Sequence, residues 1–466
     1  MHDGESVSWD GKPTRALERG SGIVDNLSSG SQACTAYKDK AGDKTATLME
    51  EVLRRENLET AYKRVKRNKG APGVDGMTVD ELLPYCHKHW KEIREQLLNE
   101  TYMPRSVKAV EIPKPNGGTR KLGIPVVLDR LIMQALLQVL QPVFEPLFSP
   151  SSHGYRPGHS AHTAMQCAGR YVNEGYDWVV CLDLEKFFDR VNHDVLMSRI
   201  AWKIKDKRIL RLIRRYLQAG IMEDGVSSPR MEGTPQGSPI SPLLSNVLLN
   251  ELDKELEERG HRFIRYADDV TVFVRSEAAG IRVLSSLEKF LSKRLRLKLN
   301  REKSEVVRPW KAKILGYSFL RGARLKTKVS ASSVSRFRQK LKPLWKKGRG
   351  RSLKATIVEL NRIITGWTAY YRLSDIQWPF DRLDKWIRHR IRCIIWRQWK
   401  TPRTRMRNML RRGAGIKAAK SAAYSGCGPW RASGLPGMHS AITNDTLKQM
   451  GLKSLLDEYR RFAYSI

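Results

Sequence analysis

The six cysteines of this 466-residue chain never come in pairs. Cys34, Cys86, Cys167, Cys181, Cys393 and Cys427 lie far apart, so there is no CxxC element and no zinc-ribbon spacing. They read as thiols of a reducing compartment. The N-terminus opens with His2, Asp3 and Glu5 and has no apolar core behind them, which argues against a secretory signal. Long hydrophobic runs are lacking as well. The most apolar stretch, Leu131 to Phe144, contains three glutamines and follows Asp129 and Arg130, so no membrane span is expected. Nor is there an internal repeat. Acidic residues are few, 48 against 85 Lys and Arg, leaving a formal net charge of +37.

Such an excess repels itself in a compact chain unless a polyanion neutralises it. Nucleic acid is the partner this implies. An anionic membrane would call for one basic amphipathic helix, whereas here the charge runs along the whole chain. Hydrophobic residues make up 41%, enough for real cores, and the length implies two or three domains.

Residues 1 to about 45 are rich in Gly, Ser, Asp and Lys without apolar periodicity, the composition of a disordered segment. From Thr45 to Lys66 apolar residues recur at helical spacing. Residues 68–76, Asn-Lys-Gly-Ala-Pro-Gly-Val-Asp-Gly, are turn chemistry. Thr78 and Glu81 then form a capping-box pair. Lys108 to Ile112 alternates as a strand, 114–120 makes a Gly-rich hairpin turn, and Lys121 to Ile124 returns. A helix is expected over Asp129 to Leu140. Strand patterns recur at Trp178 to Leu182, Phe263 to Tyr266 and Val270 to Val274, with helices between them. The alternation indicates an α+β fold with a mostly antiparallel sheet. From about Ala331 through Lys400 the pattern is wholly helical and basic. Residues 401–466 mix Arg-rich helix with Gly and Pro turns.

Two acidic elements stand out. In Phe263-Ile-Arg-Tyr-Ala-Asp-Asp-Val-Thr-Val-Phe273, two adjacent acids sit between apolar strands. Asp is disfavoured in strands and two together repel, a cost that a cation removes. Taken alone, a solvated Asp-Asp turn is the commoner explanation. In Val179-Val-Cys-Leu-Asp183, a buried-type strand ends on an acid, which either caps the next helical turn or binds something. Together, Asp183, Asp268 and Asp269 supply the carboxylates that two Mg²⁺ ions about 3.5–4 Å apart would share, with nucleotide phosphates completing their shells.

These two elements resemble the palm motifs of reverse transcriptases. Residues 233–244, Gly-Thr-Pro-Gln-Gly-Ser-Pro-Ile-Ser-Pro-Leu-Leu, resemble the block between them. The 69–76 loop, the 114–120 turn and Ile314-Leu-Gly-Tyr317 match further blocks in the right order. Many ordered blocks agree, and the resemblance covers about residues 50 to 466. It is closest to the reverse transcriptase/maturase proteins of bacterial group II introns.

The resemblance implies a right-hand polymerase: fingers and palm over 46–330, a helical thumb or maturase domain over 331–400, and a small basic nucleic-acid-binding region over 401–466. It makes the three aspartates catalytic and adds the Leu184 carbonyl as a metal ligand. It places Lys114 and Arg120 over the triphosphate, Phe188 under the sugar, Gln236 at the base pair or sugar, and Tyr266 and Ala267 beside the nucleotide. Bulk at Phe188 would exclude a 2′-hydroxyl, and core packing is the plainer account of that ring. The thumb carries Arg336, Arg338, Lys340, Lys346, Lys347, Arg388, Arg392 and Arg397 among aromatics, a composition suited to phosphates and unstacked bases. The implied partners are intron RNA, an RNA template–DNA primer, target DNA and dNTPs, in the bacterial cytoplasm at the nucleoid. Beyond residue 390 only Cys393, Cys427 and an isolated His439 appear, so no HNH-type endonuclease is expected. Two other functions remain open: a maturase that binds RNA with little polymerase role, and a domesticated reverse transcriptase in phage defence. Intact aspartates weigh against the first. Intron RNA structure around the gene would weigh against the second.

Overall fold

The computed structural model describes residues 45–113, 119–223, 226–228, 230–322, 325–348 and 350–463. The N-terminal stretch expected to be disordered and the Lys114 side of the hairpin turn lie outside these residues. In chain order the strands are β1 (Val107–Pro113), β2 (Thr119–Ile124), β3 (Trp178–Leu182), β4 (Ile221–Glu223), β5 (Val226–Ser228), β6 (Arg262–Tyr266), β7 (Asp269–Val274), β8 (Glu305–Val307), β9 (Tyr317–Leu320) and β10 (Lys326–Val329). They form sheets ordered β2-β1-β4-β5, β6-β7-β3-β8 and β10-β9. The expected hairpin exists: β1 and β2 pair antiparallel from Lys108 opposite Ile124 to Pro113 opposite Thr119. The short β4 pairs parallel with β1, an exception to the antiparallel pattern.

The chain divides into two compact units. One comprises residues 1–160, 180–272 and 278–306, the other 161–179, 273–277 and 307–466. In the second unit, the helices Ala331–Lys347, Leu353–Tyr370 and Trp378–Gln398 bury Phe337, Leu341, Ile357, Leu360, Phe380 and Ile387. Ser330 and Ser352 cap the first two of them, accepting from the backbone N–H groups of Ser333 and Ala355. Asp384 then caps the last helix of the chain, Leu455–Ala463, accepting from Ser454 Oγ and the Leu455 and Leu456 amides at 2.7, 2.7 and 3.0 Å. That contact joins the C-terminal residues to the helical region before them.

In the first unit, the expected helix over 45–66 is two helices, Leu48–Val52 and Arg55–Asn68. Arg54 is extended (φ −60°, ψ 140°) and Asn57 Nδ2 donates to the Val52 carbonyl at 2.9 Å, so the break is built by side-chain bonding that apolar spacing does not reveal. Thr78 and Glu81 do bond to each other, and the helix they precede starts at Leu82.

Val127–Phe144 is the core helix, packed against Arg55–Asn68 and Ser241–Glu258. With its 3₁₀ extension to Leu147 it is long and apolar enough to cross a membrane by length and composition, more than the glutamines suggested, yet 61% of its apolar window is buried within the fold. Its charges are used internally. Asp129 accepts from Tyr102 Oη (2.7 Å), Tyr216 Oη (3.2 Å) and the Arg105 amide (3.2 Å), and burial pushes its carboxyl up to about 6. Arg130 Nη2 donates to the Ala71 carbonyl at 2.6 Å, fastening the 68–76 loop.

Gly73 lies in that loop, where an added Cβ would fall 2.6 Å from Val126 Cα, a backbone atom that cannot swing away. Gly73→Ala should therefore destabilise the first unit by about 1–3 kcal/mol. Gly76 has φ +72° and open space around it, so Gly76→Ala should cost about 1–2 kcal/mol from backbone strain alone. Urea unfolding of the two variants, followed by fluorescence, measures both losses.

Candidate active site

β3 carries Val179, Val180 and Leu182 in the core and delivers Asp183, half-buried, at its end. Asp183 is held through its backbone: its N–H donates to Ser304 Oγ at 3.0 Å and its carbonyl accepts from the Asn300 amide at 2.8 Å. The next residues continue that pairing. Leu184 bridges Leu299, and the Glu185 amide donates to the Lys298 carbonyl at 2.9 Å. Leu184 itself is buried.

β7 is the neighbour of β3 in the sheet. The two-residue turn Ala267-Asp268 links β6 to β7, with Ala267 left-handed at φ 59°. This conformation suits a tight hairpin and costs an alanine about 1–2 kcal/mol. Asp268 is half-buried and Asp269 exposed. The thiol of Cys181 reports the local field. Burial pushes it up to about 12, and the carboxylates of Glu305 and Asp269 add to the rise. Acidic groups thus gather where β8, β3 and β7 run side by side. The nearest counter-charge to Asp183 is Lys303, whose Nζ stands 3.9 Å from Oδ2.

Among the described residues, no three carboxylate, imidazole or thiol side chains are drawn to metal-ligating spacing. Like-charged carboxylates have no reason to converge without a cation between them. The donor set at the two strand ends is all carboxylate, the chemistry of a hard divalent ion, and in that respect the residues fit such a site.

The residues expected at the nucleotide are linked by main-chain bonds. Phe187 and Phe188 form a short 3₁₀ turn with rings 5.2 Å apart, edge to face. Both rings are buried, Phe187 at 2% and Phe188 at 9% exposed, so Phe188 is the less deeply covered of the two. The Phe188 carbonyl accepts from the Thr234 amide at 2.6 Å, and the Gln236 carbonyl accepts from Gly123 in β2 at 2.9 Å. The 233–237 loop therefore lies between the Phe188 turn and the strand that begins with Thr119 and Arg120. Two glycines make this approach possible. A Cβ at Gly233 (φ +89°) would meet the Asp189 carbonyl oxygen at 2.8 Å, and one at Gly237 (φ +115°) the Gly123 oxygen at 2.9 Å. Gln236 is half-buried. Tyr266 faces exposed Tyr155, with ring centroids 6.5 Å apart. Arg120 is placed in β2, and Lys114 lies outside the described residues.

On the second unit, Arg336, Arg338, Lys340, Lys346 and Lys347 are exposed along one helix, and Arg388 and Arg397 are partly exposed. Arg338 stacks over Trp386 at 5.5 Å, and Arg390 stacks over both Trp386 (5.5 Å) and exposed Trp430 (4.4 Å). The result is an alternating guanidinium–indole ladder. Arg392 is a correction to the expected phosphate-binding set. It is buried, and its guanidinium donates to the Ile442 carbonyl (2.7 Å) and Asn444 Oδ1 (3.0 Å), so it ties the core together.

Some residues of this site were missed from the sequence. Lys303 and Ser304 follow β3 only through a long excursion and carry no local signal. Arg265 did carry one: a charge inside the apolar run Phe263-Ile264 must have a buried partner.

The family described as "Reverse transcriptase (RNA-dependent DNA polymerase)" matches residues 112–319, and "Group II intron, maturase-specific domain" matches 334–413. Protein YkfC of Escherichia coli K12 is 31% identical over 299 residues, 56% of this chain and 78% of YkfC. The chain belongs to the group II intron reverse transcriptase/maturase family. Group II intron-encoded protein LtrA of Lactococcus lactis is similar as well, 33% identical over 255 residues; the match takes in 54% of this chain and 40% of LtrA's length. A solved structure titled "Partial Cas6-RT-Cas1--Cas2 complex" aligns over 53% of this chain and 43% of its own at 24% identity, with a TM-score of 0.35. By class, then, this reverse transcriptase is an RNA-directed DNA polymerase with an intron-splicing maturase role, acting on RNA and DNA with divalent metal.

We propose that Phe188, rather than the more deeply buried Phe187, meets the sugar of the incoming nucleotide. Phe188→Ala should lower the dNTP-to-rNTP ratio of kcat/KM by on the order of 10–100-fold, because a steric conflict with the 2′-hydroxyl is relieved. Phe187→Ala should reduce stability by about 3–5 kcal/mol and leave the ratio unchanged. Single-nucleotide incorporation with both sugars, beside thermal melting, separates the two.

Proposed function

We propose that this chain copies intron RNA into DNA during retrohoming by two-metal nucleotidyl transfer at Asp183, Asp268 and Asp269, and that it binds the intron RNA to promote splicing. The observation that carries the proposal is the delivery of three carboxylates by two adjacent strands, β3 and β7, with Asp183 fixed through its main chain. Two Mg²⁺ ions held there would activate the primer 3′-hydroxyl and neutralise charge on the departing pyrophosphate. Leu184 would lend its carbonyl to the same site. The chain's own residues do the rest. Phe188 excludes the ribose hydroxyl. Gln236, with Tyr266 and Ala267, borders the base pair and sugar. Lys114 and Arg120 bring positive charge to the triphosphate from the β1–β2 hairpin. Lys303 balances Asp183 when the site is empty of substrate.

The basic helix with Arg336, Arg338, Lys340, Lys346 and Lys347 would track the phosphates of template–primer and intron RNA, with Arg388 and Arg397 beside it. The guanidinium–indole ladder would take up unstacked bases. Target DNA and dNTPs complete the proposed partners. The nucleotidyl-transfer chemistry at the carboxylates and the RNA binding at this helix would then use separate residues.

That separation is testable. Asp268→Asn should abolish primer extension on an RNA template, since an amide cannot supply the charge that attracts the ions. The same variant should bind intron RNA normally and accelerate splicing of a group II precursor at low Mg²⁺ as well as the wild type does. Extension at the wild-type rate would overturn the carboxylate assignment. No acceleration by the wild type would overturn the maturase half.

Binding should also respond steeply to salt. Each phosphate neutralised contributes roughly −0.7 to −0.9 to the slope of log K against log salt. Replacing Arg336, Arg338 and Lys340 by Gln should make that slope shallower by about 2–3. Filter binding to the intron RNA across a salt series measures it.

A further inference from the structure

Arg265 and Asp253 are both 0% exposed. Taking such ions out of water costs several kcal/mol each unless every charge and donor is satisfied. The guanidinium fork meets that demand on one side. Its Nε and Nη2 donate to Asp253 Oδ1 and Oδ2 at 2.7 and 2.6 Å. The third nitrogen, Nη1, points elsewhere. It donates to Asn246 Oδ1 at 2.8 Å and to the carbonyl of Ala267 at 3.0 Å. Asn246 in turn donates to the Gly154 carbonyl at 2.9 Å. Gly154 presses on the same turn: a Cβ there would fall 2.2 Å from the Ala267 nitrogen. The backbone of Arg265 is bonded as well, its N–H to the Ser151 carbonyl at 2.9 Å and its carbonyl from the His153 amide at 2.8 Å.

Ala267 is thus bonded at its carbonyl and closely approached by Gly154 at its nitrogen while it adopts an unfavourable left-handed conformation. Such strain persists only where the surroundings over-determine it. Stability alone does not call for an ion pair here, because a buried pair is often replaced by apolar groups without loss. An apolar set could not, however, hold a carbonyl at a fixed point. The carbonyl in question belongs to the residue just before Asp268.

We propose that Arg265 is a positioning residue of the polymerase centre: clamped by Asp253 and Asn246, it fixes the Ala267 carbonyl and thereby aims the carboxylates of Asp268 and Asp269 for divalent cation binding. This rests on the two-metal function proposed above. Lysine keeps the charge opposite Asp253 and loses the planar fork that reaches Asp253, Asn246 and Ala267 together.

Arg265→Lys is the test, beside wild type and Asp268→Asn. Mn²⁺ binding is titrated by electron paramagnetic resonance without nucleotide, amide exchange is followed in the peptides covering 264–272 and 178–184, and primer extension is measured against Mg²⁺ concentration. Arg265→Lys should weaken Mn²⁺ binding about 10–100-fold and shift half-maximal extension to correspondingly higher Mg²⁺, as losses of residues that orient metal ligands do. Exchange should rise in 264–272 and stay unchanged in 178–184, with template–primer affinity preserved. Unchanged Mn²⁺ affinity would overturn the proposal. So would exchange that rises throughout the first unit, which marks a merely structural role. Should Arg265→Lys not fold, Asn246→Ala keeps the Arg265–Asp253 pair, removes the Asn246 link to Gly154, and is judged on the same readouts. Wild-type Mn²⁺ binding and extension in Asp268→Asn would instead remove the two-metal function itself, whatever Arg265 does.

Discussion

An ion pair sealed from water lies beneath the turn that presents Asp268 and Asp269, and much of the first unit is arranged around it. Asp253 comes from the helix Ser241–Glu258, Arg265 from β6, and Asn246 from earlier on that same helix. Fixing these three fixes the helix against the strand, and the 151–154 segment against both. A buried charge tolerates no slack, because an unpaired guanidinium in a low-dielectric interior is far more costly than a slightly underpacked methyl group. The arrangement is therefore all or nothing in a way that an apolar contact is not.

Asp183 is secured differently. Its strand is apolar and its bonds are main-chain bonds to the 298–304 segment. The two halves of the acidic site thus rest on different physics, a side-chain network under β6–β7 and a backbone ladder beyond β3. Their proximity is decided only by strand order in the sheet.

This explains what could be read from the sequence. Strands β3, β6 and β7 announce themselves by apolar runs that border acids, β3 and β6 just before them and β7 from Asp269 onward, and the β1–β2 hairpin by alternation around glycines. The region 331–400 was legible as helical throughout, and the structure divides it into helices 331–347, 353–370 and 378–398. Harder to see were features set by partners distant in sequence. The break at Arg54 depends on Asn57 reaching Val52. The short parallel β4 exists because β1 offers it an edge. Arg392 looks like its exposed neighbours in a basic helix, and only the fold shows that residues 442 and 444 consume its donors. The compact units likewise gather 161–179 with 307–466, which no compositional boundary marks.

The loop at 233–237 offers its main chain to its neighbours: the Phe188 and Gly123 contacts are amide-to-carbonyl bonds, the His193 and Ser241 side chains donate to the Gly233 and Pro235 carbonyls, and the glycines clear the way for the close approach. Replacement of Gly233 or Gly237 would therefore displace the whole loop and with it every side chain it displays, whichever residues those are.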